Sequence, residues 1–448
     1  MRSTMIIAAA VVAGIFLAAP MATADEVEEQ LRLMDQRLAE MEDRLQATSE
    51  ELRSAQETVE EQQSVLSSVG FVTDDDRGNR SGISNFLSTV DFSGWVATSY
   101  NHRLYDGSDD NMNTSYAFHP DANTFALDQV WFVIDKAPTE ESRAGFHVDL
   151  NWGKMNNVYG GMDGVHAHSD QNDNLYAAYV SYLAPIGSGI QFDAGVLPTL
   201  LGAEVAQQNA NFNITRGLVY GLQPVTHTGL IASGEIAPGL SLAFGVVNDV
   251  FTDTSSDVSN SKTYTGQLAY SADTMSAAVS FIIGQDQVGQ AMTLSEPVDG
   301  CRRSSISECN TAIVDFLFTA DPSDSVSMWL NLDWVSTNGN DADNTHTVGV
   351  ATATRVAITD KVGLGGRVEF VAENVDDNEA YIGSLTATSD YALTDNLKAR
   401  GELRWDHQFK GGARFPTGNE NPNNPPNNPI AFNRDDVVVV VAELLYSF

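Results

Sequence analysis

The sequence contains little cysteine: its only two are Cys301 and Cys309. Both lie in one polar segment that contains none of the eight histidines. A metal site would need further ligands nearby, so we predict no metal ion, and we predict no other cofactor. In an exported chain such a pair instead predicts a small disulfide that closes a loop.

Basic residues are also scarce. The chain has 24 Lys and Arg residues against 60 Asp and Glu residues, which gives a formal net charge of −36. This charge repels phosphate backbones and anionic lipid surfaces. We therefore predict no nucleic-acid partner.

Long apolar runs are missing after the first 24 residues. Residues 1–24 have the pattern of a secretory signal peptide: Arg2, an apolar stretch from Met5 to Ala19, and small residues up to Ala24. A transmembrane anchor is the alternative, but the apolar stretch is short and no basic flank follows it. If the remaining chain lies in a membrane, it must cross as strands.

The end of the chain has the pattern of such a strand. Glu443 and Ser447 lie on one face, and the opposite face carries a row of apolar residues that ends in aromatics. A lipid-facing strand of a barrel needs this row. A buried strand of a soluble sheet is the alternative, because the first face is partly apolar too. The apolar row consists of Val438, Val440, Ala442, Leu444, Tyr446 and Phe448.

Residues 25–70 predict a separate helical module. An apolar residue recurs every seven positions, and a second apolar row occupies the complementary heptad position. This pattern is typical of a coiled coil, so we predict self-association, with a lone amphipathic helix as the alternative. Residues 71–89 are predicted to be a polar linker. The first row is Leu31, Leu38, Leu45, Leu52, Val59 and Leu66, and the second is Val27, Met34, Met41, Ala55 and Val69.

From residue 90 to residue 448, strand-like segments of about ten residues are joined alternately by short and long connections. The pattern predicts an all-β fold, an antiparallel transmembrane β-barrel of about sixteen strands with both ends on the periplasmic side. The short connections are predicted at 137–139, 185–187, 237–239, 273–274, 321–323, 359–360 and 394–396, and the long ones at 106–123, 155–173, 200–224, 252–262, 286–310, 337–345, 374–379 and 410–434.

Single strands have one apolar and one polar face, which a soluble β-sandwich would share. The length of the repeated pattern favours the membrane barrel, because well over three hundred residues follow it. The clearest strands place Phe146, Val148, Leu150 and Trp152 opposite His147, Asp149 and Asn151, and Met328, Leu330, Leu332 and Trp334 opposite Asn331 and Asp333.

The region from residue 202 to residue 251 carries specific motifs. They resemble the OmpL-like β-barrel porin family, and a weaker resemblance extends over residues 90–448, without the coiled coil. Asp249 stands where the family pattern would have Gly, a departure that we expect to affect only the loop. The motifs are Gly202-Ala203-Glu204, Asn211, Thr215-Arg216-Gly217, Tyr220, Pro224, Thr226-His227-Thr228-Gly229 and Gly245-Val246-Val247-Asn248.

This resemblance implies an outer-membrane channel and leaves its solute open. It places the barrel in the bacterial outer membrane, surrounded by lipid. The even number of strands puts both ends of the barrel, and with them the N-terminal helix, on the periplasmic side. Porin-like barrels commonly trimerise, so the self-association predicted for 25–70 is expected to give a homotrimer.

The alternation of the strands also assigns residues to the pore lining. Basic residues dominate one wall, and Asp149 and Asp193 are predicted to lie about eight strands away. A basic wall that faces an acidic wall would orient dipolar solutes and filter ions. The alternative is that the Arg and Glu neighbours only satisfy each other. The residues assigned to the basic wall are Arg355, Arg367, Glu369, Lys398, Arg400, Glu402, Arg404 and Asp406.

The segment 200–224 is less polar than the other predicted loops and carries Glu204 and Arg216. We predict that it folds into the lumen and that these two side chains line the pore. The alternative is that it packs against a neighbouring protomer.

These features predict a porin for passive diffusion of small hydrophilic solutes or ions. Acidic loops at the mouth predict a preference for cations. A structural tether that grips peptidoglycan through the helix is compatible with this function. A barrel hydrolase is the remaining alternative, but His147 and His227 lack a catalytic neighbour, so we predict no enzyme activity.

One loop could hold a divalent cation through His166 and His168, with Asp163, Asp170 and Asp173. A solvated acidic loop explains the same residues better.

Overall fold

The computed structural model describes residues 89–104, 119, 121–154, 174–251, 261–286, 309–339, 344–375, 378–411 and 436–448. The chain divides into two compact units, Met1–Ser88 and Thr89–Phe448, and the described residues belong to the second. The predicted signal peptide, coiled coil and most of the linker lie outside the described residues. So do Cys301, and with it the predicted disulfide, and the loop with His166 and His168. Among the described residues, no helix has the length and hydropathy to span a membrane.

The described part of the chain forms one closed barrel of sixteen antiparallel strands, as predicted. Each strand pairs with its neighbours in sequence, and the first pairs with the last. The strands are β1 (Asp91–Arg103), β2 (Thr124–Lys136), β3 (Ala144–Trp152), β4 (Leu175–Ala184), β5 (Ile190–Pro198), β6 (Thr226–Ala237), β7 (Leu240–Val247), β8 (Thr263–Ala272), β9 (Met275–Asp286), β10 (Cys309–Ser323), β11 (Val326–Gly339), β12 (Thr345–Ala357), β13 (Val362–Val375), β14 (Asn378–Ala392), β15 (Leu397–Lys410) and β16 (Asp436–Ser447).

The last residue of the chain helps to close the barrel. The backbone N–H of Gly94 donates to the carbonyl of Phe448, and that of Phe448 donates to the carbonyl of Gly94, both at 3.0 Å. A Cβ atom on Gly94 would lie 2.7 Å from the Phe448 ring, so glycine at this position makes room for the aromatic. The ring also packs against Phe132 of β2, with centroids 5.8 Å apart.

The strands carry apolar residues outside and polar residues inside. On β15, Leu403 and Trp405 are exposed on the outer face, whereas Arg404 and Asp406 are buried in the interior. The faces predicted for β3, β11 and β16 are confirmed in the same way. A soluble protein would place the apolar face in its core, so this arrangement excludes the sandwich and is typical of a barrel whose outer surface meets lipid.

Two connections differ from the prediction. Residues 321–323 end β10, and the turn is formed by Asp324 and Ser325. The long loop predicted at 374–379 is wrong, because β13 runs to Val375 and β14 begins at Asn378. Asn374 still pairs with Glu379 in the ladder, so these polar residues are strand ends rather than loop residues. Below, the end of the barrel with the short connections is called the turn end, and the opposite end the loop end.

An inner segment and the walls of the barrel

Residues 199–225, which connect β5 to β6, form an inner segment inside the barrel. Its two ends meet where the Thr199 N–H donates to the Val225 carbonyl at 3.0 Å. The Leu200 carbonyl accepts from Gln267 of β8 at 2.7 Å and from Ser280 of β9 at 2.9 Å. These partners are inward-facing, so the prediction that this segment folds into the lumen is confirmed.

A second contact ties the inner segment to β11. The amide of Gln223 donates to Asn331 at 3.0 Å and to Asp333 at 2.6 Å, and Asn331 also accepts from the Ala203 N–H at 3.0 Å. Asn331 in turn donates to Asp315 of β10. The segment therefore reaches strands far from its own stem.

Glu402 of β15 binds the tip of the inner segment. Its carboxylate accepts from the backbone N–H groups of Ile214 at 2.5 Å and Thr215 at 3.0 Å. It also accepts from the hydroxyls of Thr215 and of Thr388 on β14. These four bonds occupy the lone-pair positions of the carboxylate, so Glu402 holds the segment rather than a solute.

Arg367 of β13 forms a second attachment. Its guanidinium lies 2.5 Å from Glu204 of the inner segment and 2.9 Å from Glu369 of its own strand, and it donates to the Thr215 carbonyl at 2.6 Å. Glu204 also accepts from the Gly217 N–H at 2.7 Å. The charge of Arg367 is thus shared between two carboxylates.

The two arginines of β15 complete the attachment. Arg400 pairs with Glu443 of β16 and donates to the carbonyls of Asn211 at 3.1 Å and Gln208 at 3.2 Å. Arg404 pairs with Asp406 at 2.8 Å and donates to the carbonyl of Arg216 at 2.6 Å. Both guanidiniums therefore satisfy backbone carbonyls that would otherwise be buried without a partner.

The predicted basic wall is consequently covered. The exposed fractions are 1% for Arg367, 3% for Glu369, 6% for Arg400, 2% for Glu402 and 0% for Arg404. These side chains face the interior, as predicted, but they are buried beneath the inner segment rather than exposed to water. The alternative, in which Arg and Glu satisfy each other, is closer to the structure, with the inner segment as an additional partner.

Arg216, which was also predicted to line the pore, is buried within the inner segment. Its guanidinium is buried and donates to the carbonyls of Val205 and Ala206 and to the side chain of Gln208, each at 2.7 Å. It also donates to the Ile214 carbonyl at 3.0 Å. Arg216 folds the inner segment onto itself, because every one of these partners belongs to that segment.

Two residues that matter for this attachment were missed by the sequence analysis. Gln208 donates to Glu443 at 2.6 Å, and its own N–H donates to Gln129 of β2 at 3.0 Å. Glu443 is the single charged residue between the apolar residues of its strand, and that isolation was the available signal. Gln208 gave no signal, since its partners Glu443 and Gln129 lie on strands that are distant in sequence.

The opposite side of the interior, on β2 to β5 near the turn end, is acidic and reaches water. His147 lies between Asp135, at 2.8 Å, and Asp149, at 3.2 Å. The exposed side-chain fractions are 18% for His147 and 34% for Asp135. Asp193 accepts from Ser181 at 2.5 Å and from Gln191 at 2.9 Å. Within the described residues, no three His, Cys, Asp or Glu side chains are grouped to hold a metal ion.

Arg355, Asp390 and Lys398 lie near the turn end on the side of β12 to β15. Arg355 pairs with Asp390 at 2.8 Å, and the three side chains line a cavity of about 670 Å³ together with the adjoining turns. Lys398 and Arg355 are therefore the two residues of the predicted basic wall that border an open space.

The predicted separation of about eight strands between the two walls agrees with the structure for Asp193 but not for Asp149. In the closed order of the strands, Asp193 on β5 is eight strands from β13. Asp149 on β3 is only four strands from β15, because β16, β1 and β2 alone separate them. The barrel closes through β1 and β16, so strands from the two ends of the sequence lie close together.

Several solved structures share this fold. The match with OmpT of Vibrio cholerae covers 80% of this chain and 97% of the OmpT chain, with 10% sequence identity and a TM-score of 0.53. The channel DcaP of Acinetobacter baumannii gives the same coverage, with 12% identity and a TM-score of 0.51. An anion-selective porin from Comamonas acidovorans covers 80% of this chain and 99% of its own, with 9% identity and a TM-score of 0.50.

These identities establish the fold alone. No curated protein matches the chain in sequence. Residues 89–448, which include the whole barrel, match a family described as "Putative beta-barrel porin-2, OmpL-like", as the motifs near Gly202 predicted. The chain belongs to this OmpL-like β-barrel porin family.

Proposed function

We propose that this protein is an outer-membrane porin through which small hydrophilic solutes or ions diffuse passively. The observation that carries the proposal is a closed sixteen-strand barrel with an apolar outer face and a polar interior. Such a barrel is stable where its outer surface meets lipid and its interior meets water and polar groups. Membership of a porin family supports the same function.

The inner segment determines where solutes would pass. It covers the arginine-rich wall of β13 to β15 and leaves His147, Asp135 and Asp193 accessible on the side of β2 to β5. We infer that the path runs along this acidic side. Asp193 is then the predicted acidic residue that lines this path, and Lys398 and Arg355 border it near the turn end. Asp149 is buried behind His147 and acts on the path only through its charge.

The proposed path favours cations. The acidic residues near it attract cations, and the net charge of −36 acts in the same direction. At 1 M salt the Debye length falls to about 3 Å, so a preference that depends on distant loops should weaken there. A preference that depends on Asp193 and its neighbours should survive.

Recording in a planar bilayer tests the function. The purified full-length chain should give discrete conductance steps, and the reversal potential across a KCl gradient should have the sign of a cation-preferring pore. Folded protein that gives no steps at any voltage would refute the porin proposal. A clear anion preference would refute the path along the acidic side.

The proposed function also includes an oligomeric state and a role for the N-terminal helix. We propose a homotrimer whose 25–70 segments associate in the periplasm and contact peptidoglycan. One solved form of Vibrio cholerae OmpT is described as a trimer, which supports this state for the fold. Replacing Leu38, Leu45 and Leu52 with Asp should reduce association of the full-length protein in sedimentation experiments. Unchanged association would show that the barrel alone holds the oligomer.

A further inference from the structure

His147 is placed between two carboxylates on the accessible side of the barrel interior. Its Nδ1 lies 2.8 Å from Oδ1 of Asp135 on β2, and its Nε2 lies 3.2 Å from Oδ1 of Asp149 on β3. A neutral imidazole has one N–H and one lone pair, so one of these carboxylate oxygens would then face a lone pair. The Nδ1 contact is a hydrogen bond, whereas the Nε2 contact is an ion pair without hydrogen-bond alignment. The two carboxylates therefore favour the imidazolium by a hydrogen bond at one nitrogen and by charge at the other.

The other groups around His147 also favour a positive charge. Its ring stacks on Tyr179 of β4, with centroids 5.0 Å apart and an angle of 16°. Asp193 of β5 is within electrostatic range of that tyrosine. From the inner segment, the amide of Gln207 lies 3.4 Å from Asp149 and carries no charge. No basic residue thus contacts the ring from β2, β3, β4, β5 or the described inner segment.

The other two buried histidines near the interior differ from His147. His119 lies outside the strands, and burial lowers its pKa to about 3, so it stays neutral from pH 5 upward. His227 is fully buried, and its Nε2 faces the hydroxyl of Thr199 at 3.2 Å. Among the histidines that the structure describes, only His147 combines two carboxylate neighbours with access to water.

We propose that His147 is a specificity-determining residue whose protonation sets the charge of the acidic wall. This inference rests on the proposed porin function. With His147 protonated, Asp135, Asp149 and His147 together carry one negative charge. When His147 loses its proton, the same three residues carry two. The preference for cations therefore increases as pH rises through the range in which histidine titrates.

The expected size of the pH effect on the permeability ratio follows from a change of one elementary charge near the ion path. At about 10 Å in water, one charge changes the local concentration of a monovalent ion roughly twofold, in opposite directions for K⁺ and Cl⁻. The permeability ratio of K⁺ to Cl⁻ should thus rise about twofold to fourfold between pH 5.5 and pH 8.5.

The test measures reversal potentials of the full-length protein at both pH values. The variant His147→Gln has no titrating group at this site, so its permeability ratio should equal the high-pH value of the wild type at both pH values. His346 of β12 lies exposed on the outer face, and His346→Gln should keep the full dependence on pH. A pH dependence that persists in His147→Gln would overturn the inference while leaving the porin function intact.

A second variant covers the case in which His147→Gln does not fold. Asp135→Asn removes one of the two carboxylates, so the change in permeability ratio should be centred at lower pH than in the wild type.

A histidine NMR titration in detergent gives a readout that does not depend on conductance. His147 should give a resonance that titrates between pH 5.5 and pH 8.5 and is displaced by Asp135→Asn. A resonance that does not move in Asp135→Asn would contradict the proposed contact.

Discussion

The two sides of the barrel interior have similar strand patterns and different surroundings. On β13 and β15, Arg367, Arg400 and Arg404 are buried beneath the inner segment and bonded to it. On β2 to β5, Asp135 and His147 remain accessible to water. The difference shows that an inward-facing charge lines a pore only where no other part of the chain covers it. Charges on the first side hold the inner segment in place, and charges on the second side are the ones that we propose act on ions.

The largest effect is expected from Glu402→Ala. Two buried backbone N–H groups, those of Ile214 and Thr215, would lose their acceptor, which should cost about 2–4 kcal/mol of stability. The inner segment should detach at its tip and the conductance should increase. Heat-modifiable migration on gels measures the stability, and bilayer recording measures the conductance. Unchanged values in both would contradict the role assigned to Glu402.

Two glycine substitutions test how closely the inner segment packs against the barrel wall, without removing a charge. A Cβ on Gly217 would overlap the carboxylate of Glu369, so Gly217→Ala should displace the inner segment and lower the unfolding temperature by several degrees. Gly366 is the matched control on β13, because the nearest atom to its Cβ would be 3.9 Å away. If both substitutions destabilised equally, steric overlap with Glu369 would not be the cause.

The double variant Arg400→Gln, Arg404→Gln separates structure from electrostatics. The loss of two positive charges should by itself strengthen the cation preference. The structure adds a second effect, since carbonyls of Gln208, Asn211 and Arg216 lose their donors and the segment should loosen. Conductance and cation preference should therefore rise together. A higher preference at constant conductance would mean that these arginines act on ions through space alone.

The smallest effect is expected on the accessible side. Asp193→Asn removes one charge from the proposed path and should lower the permeability ratio of K⁺ to Cl⁻ about twofold, with no change in stability beyond its bonds to Ser181 and Gln191. Asp436→Asn is the control, because Asp436 bonds to Trp405 and His407 on the outer face. Equal shifts in the two variants would show that the ratio reports total charge rather than position.

The sequence predicted the fold because its signals are local. Alternation over a few residues assigns Arg404 and Asp149 to the interior without knowledge of any other strand. It also predicted that the less polar segment 200–224 folds inward. The predicted loop at 374–379 failed because polar residues such as Asn374 and Glu379 occur both in loops and at strand ends beyond the membrane.

The side-chain contacts and the burial of the candidate site could not be predicted from the sequence. Glu443 and Gln208 contact each other although 235 positions separate them in the sequence, and no periodicity links them. Arg216 and Glu204 look like pore residues in a sequence, since several of their buried partners are backbone carbonyls and N–H groups that carry no sequence signal. Burial under another segment is a property of the tertiary structure, and strand alternation is independent of it.

The pairing of Phe448 with Gly94 has a kinetic consequence. The last strand must be available before the first can find its partner, so the barrel cannot close while the chain is still being exported. Contacts between such distant parts of a chain form slowly. Until then both terminal strands present unpaired backbone groups, which can pair with other chains. The pairing of β1 with β16 therefore removes both exposed edges in a single step, so that closure of the barrel is itself the protection against wrong pairing.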